Sequence, residues 1–229
     1  MLGPPRFGGM GRGRPVRRQS ERAGRRAQPV ESRGLFGDDL FEAKGGRVTH
    51  ASLTANDVAA VLFDFGGTLD ADGLPWKERV FRLFAEEGVV VTPERFDPLF
   101  YAADDALAGT IPRTSSLGET VTRLAAGVAA ALELPDRTVA ERVARRFLDA
   151  ALAGLAGNTP LLGRLARRYR LGIVSNFYGN LARVCDDAGI GSLFSVLVDS
   201  AEVGCAKPDP RIFRVALDAG DPGDDVRAF

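Results

Sequence analysis

Histidine is almost absent from this chain. His50 is the one copy in 229 residues, and it lies outside every stretch with a readable pattern. Triads and metal sites built on imidazole are therefore not expected. Cysteine is nearly as scarce: Cys185 and Cys205 are the two copies, and no signal-peptide apolar core lies near the N-terminus. A reducing, cytoplasmic compartment is the expectation. No uninterrupted apolar run approaches the roughly 18 residues of a membrane span, so no membrane partner is expected. Lysine occurs three times, as Lys44, Lys77 and Lys207, against 27 arginines. Where a chain this rich in Arg uses Lys, a compact point charge is a candidate requirement.

Net charge is missing too, but only as a sum. Residues 1–34 hold nine arginines against Glu21 and Glu31, a local balance of +7, which leaves −7 for the rest of a chain whose formal charge is zero. A basic arm thus precedes a mildly acidic body. Residues 1–57 are rich in Gly, Pro and Arg with little periodicity and read as a disordered tail. Nucleic acid is expected as a partner only through this tail, if at all. A nucleic-acid or acidic-partner arm, an organellar presequence and translated leader upstream of a domain starting near Asn56 are the three readings of it, and the last is the expectation. The hydrophobic share of 45% is enough for a core.

What is present is a pattern around Val58–Leu69, VAAVLFDFGGTL. Val58–Phe63 is a continuous apolar run that fits a parallel strand buried on both faces. Asp64 closes it. A carboxylate at the C-terminal end of such a strand faces the crevice where open α/β sheets bind ligands. Gly66 and Gly67 allow a tight turn and close approach to an anion. After a polar turn at Asp70-Ala71-Asp72-Gly73, four helices follow without a strand. They are Lys77–Glu87, a helix opened by Thr92-Pro93, one opened by the capping pattern Ser116/Glu119, and one capped by Asp136. This succession predicts a helical module inserted into an α/β domain.

Alternation then resumes. Thr159-Pro160 predicts a helix to about Arg168, Leu171–Val174 a strand ending in Ser175-Asn176, and Asn180–Ala188 a helix with Cys185 on its core face. Val196–Val198 reads as a third strand, and Asp209-Pro210 opens a helix through Leu217 that Gly220 stops. Asp225–Phe229 reads as the opening of a fourth strand, with Asp221, Asp224 and Asp225 in a solvated turn before it.

Asp64, Ser175 and Lys207 now stand in order at strand ends or before a helix. Together, Asp64-Phe65-Gly66-Gly67-Thr68-Leu69, Ile173-Val174-Ser175-Asn176 and Gly204-Cys205-Ala206-Lys207-Pro208-Asp209-Pro210 resemble the first three motifs of the haloacid-dehalogenase-like (HAD) superfamily. Most of its members are phosphohydrolases. The resemblance runs from about Val58 to the end. It implies an α/β fold, a Rossmann-like parallel core over 58–72 and 157–229, with a helical cap inserted over 73–156. By this resemblance Asp64 would be the nucleophile, forming an aspartyl-phosphate. Ser175 and Lys207 would bind and neutralise the phosphate, with Gly67, Thr68 and Asn176 as further contacts. Asp64 and the Gly66 carbonyl would hold Mg²⁺.

Two departures qualify these expectations. Gly66 stands where the family has a second Asp, which protonates the leaving group and then activates water. General acid–base help of this kind is worth roughly 10²–10⁴-fold, so impaired turnover is expected. Asp70 and Asp72 are near in sequence, with no sign that either reaches the site. The family's fourth motif, an acidic metal-binding loop, is not reached by Phe229, so a truncated or decayed copy is the expectation. The leading reading is a Mg²⁺-dependent phosphatase of a small phosphorylated metabolite. The first alternative is a non-catalytic relative that binds phosphate or a partner. The second is dehalogenase or phosphonate chemistry, for which Lys77 is the one lysine in the cap region. A phospho-acceptor receiver domain pairs similar residues but lacks the helical insertion.

Overall fold

The computed structural model describes residues 58–219. The basic tail, Gly220, the aspartates after it and the expected fourth strand lie outside the described residues. Strands β1 (Ala60–Phe63), β2 (Arg170–Ser175) and β3 (Val196–Asp199) form a parallel sheet in the order β1-β2-β3. Phe63 lies opposite Ile173, and Ser175 opposite Asp199. The registers therefore bring the carboxyl ends of all three strands to one rim. With helices flanking the sheet, this is the Rossmann-like α/β arrangement expected from the sequence.

β2 is the buried strand, apolar from Leu171 to Val174 because sheet partners and helices cover it. β1 departs from the expectation of burial on both faces. Its residues are exposed or half-buried and Val58 is exposed, because among the described residues β1 pairs with β2 alone. Gly172 in β2 sits in a crowded spot: an added Cβ would lie 2.7 Å from Leu62 Cδ2, so that side chain would have to move.

Four helices connect β1 to β2: α1 (Trp76–Glu86), α2 (Pro93–Asp105), α3 (Leu117–Ala131) and α4 (Thr138–Ala166). α2 carries Pro at its first position, where no intrahelical donor is lost. α3 starts in the expected capping box, with the Glu119 amide donating to Ser116 Oγ and the Ser116 amide to Glu119 Oε2. Phe84, Phe96, Leu124 and Phe147 are fully buried where these helices meet. Burying a ring of this size contributes roughly 1.5–3 kcal/mol.

α4 corrects the sequence reading. Two helices were expected, one after Asp136 and one from Thr159-Pro160, with the cap boundary at 156/157. The structure holds one helix of 29 residues, with Pro160 inside it and residues 156 and 157 in mid-course. Its N-cap is Arg137, one residue later than expected, while Asp136 Oδ1 accepts from the Thr138 amide at 2.9 Å. Packing outweighs the local breakers. Gly154 lies so close to the turn after β1 that a Cβ would sit 2.7 Å from the Asp70 carbonyl oxygen, and Asn158 donates to the Leu69 carbonyl at 2.9 Å.

After β2 come α5 (Leu181–Asp187), β3, a one-turn α6 (Ser200–Val203) that the sequence did not announce, and α7 (Pro210–Asp218). Asn180, ahead of α5, ties this part to the inserted helices: its amide donates to Ser115 O at 2.9 Å and Thr120 Oγ1 at 2.8 Å. Among the described residues no helix is long and apolar enough to cross a membrane.

Candidate active site

The turn following β1 is fixed by a buried carboxylate. Asp70 has no exposed surface. It accepts from the Gly67 amide at 2.6 Å, Trp76 Nε1 at 2.7 Å and Arg79 Nη1 at 2.7 Å. The sequence placed Asp70 in a polar turn; it is instead the anchor of that turn and unavailable to a ligand. Two residues expected as phosphate contacts have their amides engaged within this turn. The Gly67 amide is spent on Asp70, and the Thr68 amide on the Phe65 carbonyl at 3.2 Å. Neither residue lines the cavity at the strand ends. Gly67, at φ +81°, is where the turn needs a left-handed residue.

Asp64, just past β1, is half-buried at that rim. The Lys207 ammonium lies 2.6 Å from its Oδ1, the Ser175 hydroxyl donates to Oδ1 at 3.1 Å, and the Phe65 amide donates to Oδ1 at 2.8 Å. Oδ2 has no partner among the described residues. The carboxylate, hydroxyl and ammonium read from three separated motifs thus meet at one carboxylate oxygen, and the other oxygen faces no donor among the described residues.

Lys207 reaches this point because its backbone is clamped. Its amide donates to Asn176 Oδ1 at 2.7 Å and its carbonyl accepts from Asn176 Nδ2 at 3.0 Å. Asn176, expected as a substrate contact, therefore spends both amide atoms on positioning the lysine. Asp199, at the end of β3, was not singled out from the sequence. It is buried and accepts from the amides of Gly179, Leu181 and Ala201. Burial pushes its carboxyl above the ordinary carboxylate range, against the pull of those three amides. It shapes the loop after β2 that carries Asn176.

A cavity of about 210 Å³ opens above Asp64, Gly66, Ser175 and Lys207. Trp76, Phe100, Asp104, Asn176, Phe177 and Tyr178 complete its wall. Tyr178 is 8% exposed and its hydroxyl donates to Asp104 Oδ1. Burial raises the Asp104 carboxyl above its ordinary range, partly opposed by the Tyr178 hydrogen bond. Burial and the Asp104 charge together push the Tyr178 phenol up, so it stays protonated. Asp104 was missed from the sequence, but a signal existed. Phe96, Phe100 and Asp104 recur every four residues on α2, so the carboxylate continues a row whose rings are buried.

Gly66 has a neighbour that explains its size. A Cβ there would lie 3.3 Å from Trp76 Nε1 and 3.4 Å from Cδ1. The indole is held by Asp70 and packs edge-on to Phe147 and Phe177, with ring centres 5.0 and 5.9 Å away. Lys77 stays outside the cavity. It pairs with Asp97 at 2.7 Å and Glu78 at 3.0 Å, and the Asp97 hydrogen bond above all raises its pKa well beyond the usual lysine value. An amine so held is not the neutral nucleophile that phosphonate chemistry requires.

For a metal, the cavity offers Asp64 Oδ2 and the Gly66 backbone. No cluster of three or more His, Cys, Asp or Glu side chains occurs among the described residues. That donor set suits Mg²⁺, which binds through one or two carboxylates and keeps several waters. It does not suit an ion that needs a full protein cage.

A nucleophile-type carboxylate at the end of a parallel strand, beside a clamped ammonium and a strand-end hydroxyl, defines an α/β protein of the hydrolase class. The model of the haloacid dehalogenase-like hydrolase family matches residues 58–226, and the chain belongs to that family. It is 44% identical over 57 residues to the haloacid dehalogenase-like hydrolase domain-containing protein 3 of Mus musculus, covering 25% of this chain and 23% of that protein. It is 39% identical over 70 residues to the pyrimidine 5'-nucleotidase YjjG of Escherichia coli K12, covering 30% and 31%. The chain thus matches less than a third of the length of these curated relatives. Among solved structures it resembles the HAD-hydrolase YfnB of Bacillus subtilis bound to magnesium, at 21% identity and TM-score 0.39 over 73% of this chain and 74% of that one. It also resembles a dehalogenase, at 21% identity and TM-score 0.43 over 72% of each chain.

Proposed function

We propose that this chain is a cytoplasmic phosphohydrolase in which Asp64 attacks the phosphorus of a small phosphorylated metabolite. One observation carries this reading: Lys207 and Ser175 converge on Asp64 Oδ1 while Oδ2 is left without a partner among the described residues. Phosphoryl transfer asks little more of a protein than positioning and charge neutralisation. The Phe65 amide, Ser175 and Lys207 orient the carboxylate so that Oδ2 is the free nucleophile. Lys207 brings fixed positive charge to where a dianionic phosphate must approach an anionic side chain. The Ser175 hydroxyl is placed to donate to a phosphate oxygen. Asp64 and the Gly66 carbonyl would hold Mg²⁺, which when bound offsets the repulsion between carboxylate and phosphate. The cavity, about 210 Å³ and walled by Trp76 and Phe100, favours a small ester.

A second reading, a non-catalytic phosphate binder, is favoured by Gly66, which supplies no carboxyl above Asp64. The full chain, assayed with p-nitrophenyl phosphate and Mg²⁺, separates the two. The expected result is phosphate release that is lost on chelation and in Asp64→Asn, and falls at least 10²-fold in Lys207→Met. Saturable binding of inorganic phosphate without any turnover would favour the second reading. Halide release from a 2-haloacid, with no phosphate release, would overturn both.

A further inference from the structure

We propose that Asp104, delivered from α2 into the same cavity and held by Tyr178, is the acid–base residue of this site. The proposal rests on the phosphohydrolase reading above and goes beyond it by naming the proton donor and the substrate class that needs one. An alkoxide is a poor leaving group, so cleavage of an alkyl phosphate needs a proton at the ester oxygen. Besides Asp64 itself, Asp104 is the one carboxyl among the described residues that lines the cavity. Asp70, the nearest acid in sequence after Asp64, is buried in its own ion pair. Gly66 supplies no carboxyl, and a Cβ there would lie 3.3 Å from Trp76 Nε1, close enough that the indole would have to give by a few tenths of an ångström.

Burial raises the Asp104 carboxyl above its ordinary range, partly opposed by the Tyr178 hydrogen bond. It is half-buried, its immediate chain neighbour is Asp105, and the phenol above it is buried. The charged and titratable groups around it are Asp105 on its own helix, Tyr178 from the loop after β2, and Asp64 and Lys207 across the cavity. Tyr178 donates to Oδ1, so Oδ2 is the oxygen left to carry the proton.

In the first step Asp64 Oδ2 forms a bond to phosphorus as the bond from phosphorus to the ester oxygen breaks. The Asp104 proton moves to that oxygen, and a neutral alcohol leaves. In the second step water attacks phosphorus. Its proton returns to the Asp104 carboxylate, the bond from phosphorus to Asp64 breaks, and inorganic phosphate is released. Both residues end as they began.

The test compares wild type and Asp104→Asn on two probes with Mg²⁺: glycerol 3-phosphate, whose alkoxide must be protonated, and p-nitrophenyl phosphate, whose phenolate leaves unaided. The expected result is a fall of about 10²–10⁴-fold in kcat/KM for the alkyl ester. For the aryl ester kcat/KM should change less than about tenfold while kcat falls, with a burst of nitrophenolate as the aspartyl-phosphate accumulates. A purely structural role would lower both kcat/KM values alike. Tyr178→Phe provides a second measurement, because its hydroxyl holds the Asp104 pKa down. Its loss should move the alkaline limb of the alkyl-ester profile to higher pH. Equal losses on both probes, or an Asp104→Asn enzyme with undiminished alkyl hydrolysis, would overturn the role of Asp104 and leave the hydrolase reading intact. A wild type inert toward both probes would overturn the two together.

Discussion

Asp70 and Arg79 form the most deeply buried ion pair among the described residues, and breaking it should cost more than any other polar change near the site. The Arg79 side chain is 8% exposed and that of Asp70 0%, with 2.7 Å between Nη1 and Oδ2. At an effective dielectric constant of about 20, two unit charges at that distance attract by on the order of 6 kcal/mol. Desolvation of both groups offsets much of this, so the pair's net contribution is small. Removing one partner is different, because the desolvated survivor remains. Arg79→Met leaves Asp70 with two donors, the Gly67 amide and Trp76 Nε1, and should cost roughly 3–5 kcal/mol. Asp70→Asn should cost a similar amount, since three donors point at a side chain that now has one acceptor oxygen. The double variant carries neither charge. It should lose at least about 2 kcal/mol less than the two single losses added together. Urea unfolding reads all three. With m roughly 2 kcal/mol/M for a domain of this size, each single variant should lower the midpoint by about 1.5–2.5 M at unchanged slope. Strict additivity in the double variant, or a midpoint in Arg79→Met within about 0.5 M of wild type, would refute the reasoning.

Two further outcomes follow from the packing. Gly66→Asp brings a Cβ within 3.3 Å of an indole that hydrogen-bonds Asp70 and packs against two rings. The indole must then give by a few tenths of an ångström, so the variant should lose roughly 1–3 kcal/mol through overpacking. Urea unfolding with Gly66→Asp, alone and combined with Trp76→Phe, checks this: the combination should recover part of the loss, and a fully stable single variant would show that the ring yields freely. Cys185 is buried and its thiol is pushed up to about 12 by burial, with the Asp186 charge adding to it, so at pH 8 only about one part in 10⁴ is thiolate. Titration with a disulfide reagent should find one prompt thiol, the partly exposed Cys205, and a second only in denaturant; two prompt thiols would contradict the burial.

The elements that the sequence announced are those whose signal is local. The capping box of α3 needs only Ser116 and Glu119, and the apolar run of β2 needs only its own residues. α4 was misread because Thr159-Pro160 looks the same whether it opens a helix or lies within one. What decides is contact with the turn after β1, through Gly154 and Asn158, which no local pattern encodes. The site divides in the same way. Asp64, Ser175 and Lys207 were legible because strand ends and a helix start place them, and topology then brings strand ends to one rim. Asp104 and Trp76 were not, since each reaches the cavity only through the way inserted helices settle on the sheet. Gly67 and Asn176 show a second layer that the sequence does not reveal: the fold uses the Gly67 amide to hold the turn and the Asn176 amide group to hold the lysine.

Position 66 shows why a motif departure is poorly read one residue at a time. As sequence, Gly66 is a missing carboxyl. In the structure the space above it belongs to Trp76, whose Nε1 is committed to Asp70, which in turn holds the Gly67 amide and Arg79. Glycine at 66, tryptophan at 76 and the buried pair beneath them are one packing arrangement. Restoring an acid at 66 would press on the ring whose Nε1 hydrogen-bonds Asp70 in the turn beside Asp64. An acid arriving from the cap side leaves that hydrogen bond in place. α2 already brings a carboxyl to the cavity in line with Phe96 and Phe100. For a chain built this way, proton transfer from the inserted helices is the arrangement that leaves the anchor of the nucleophile's turn intact.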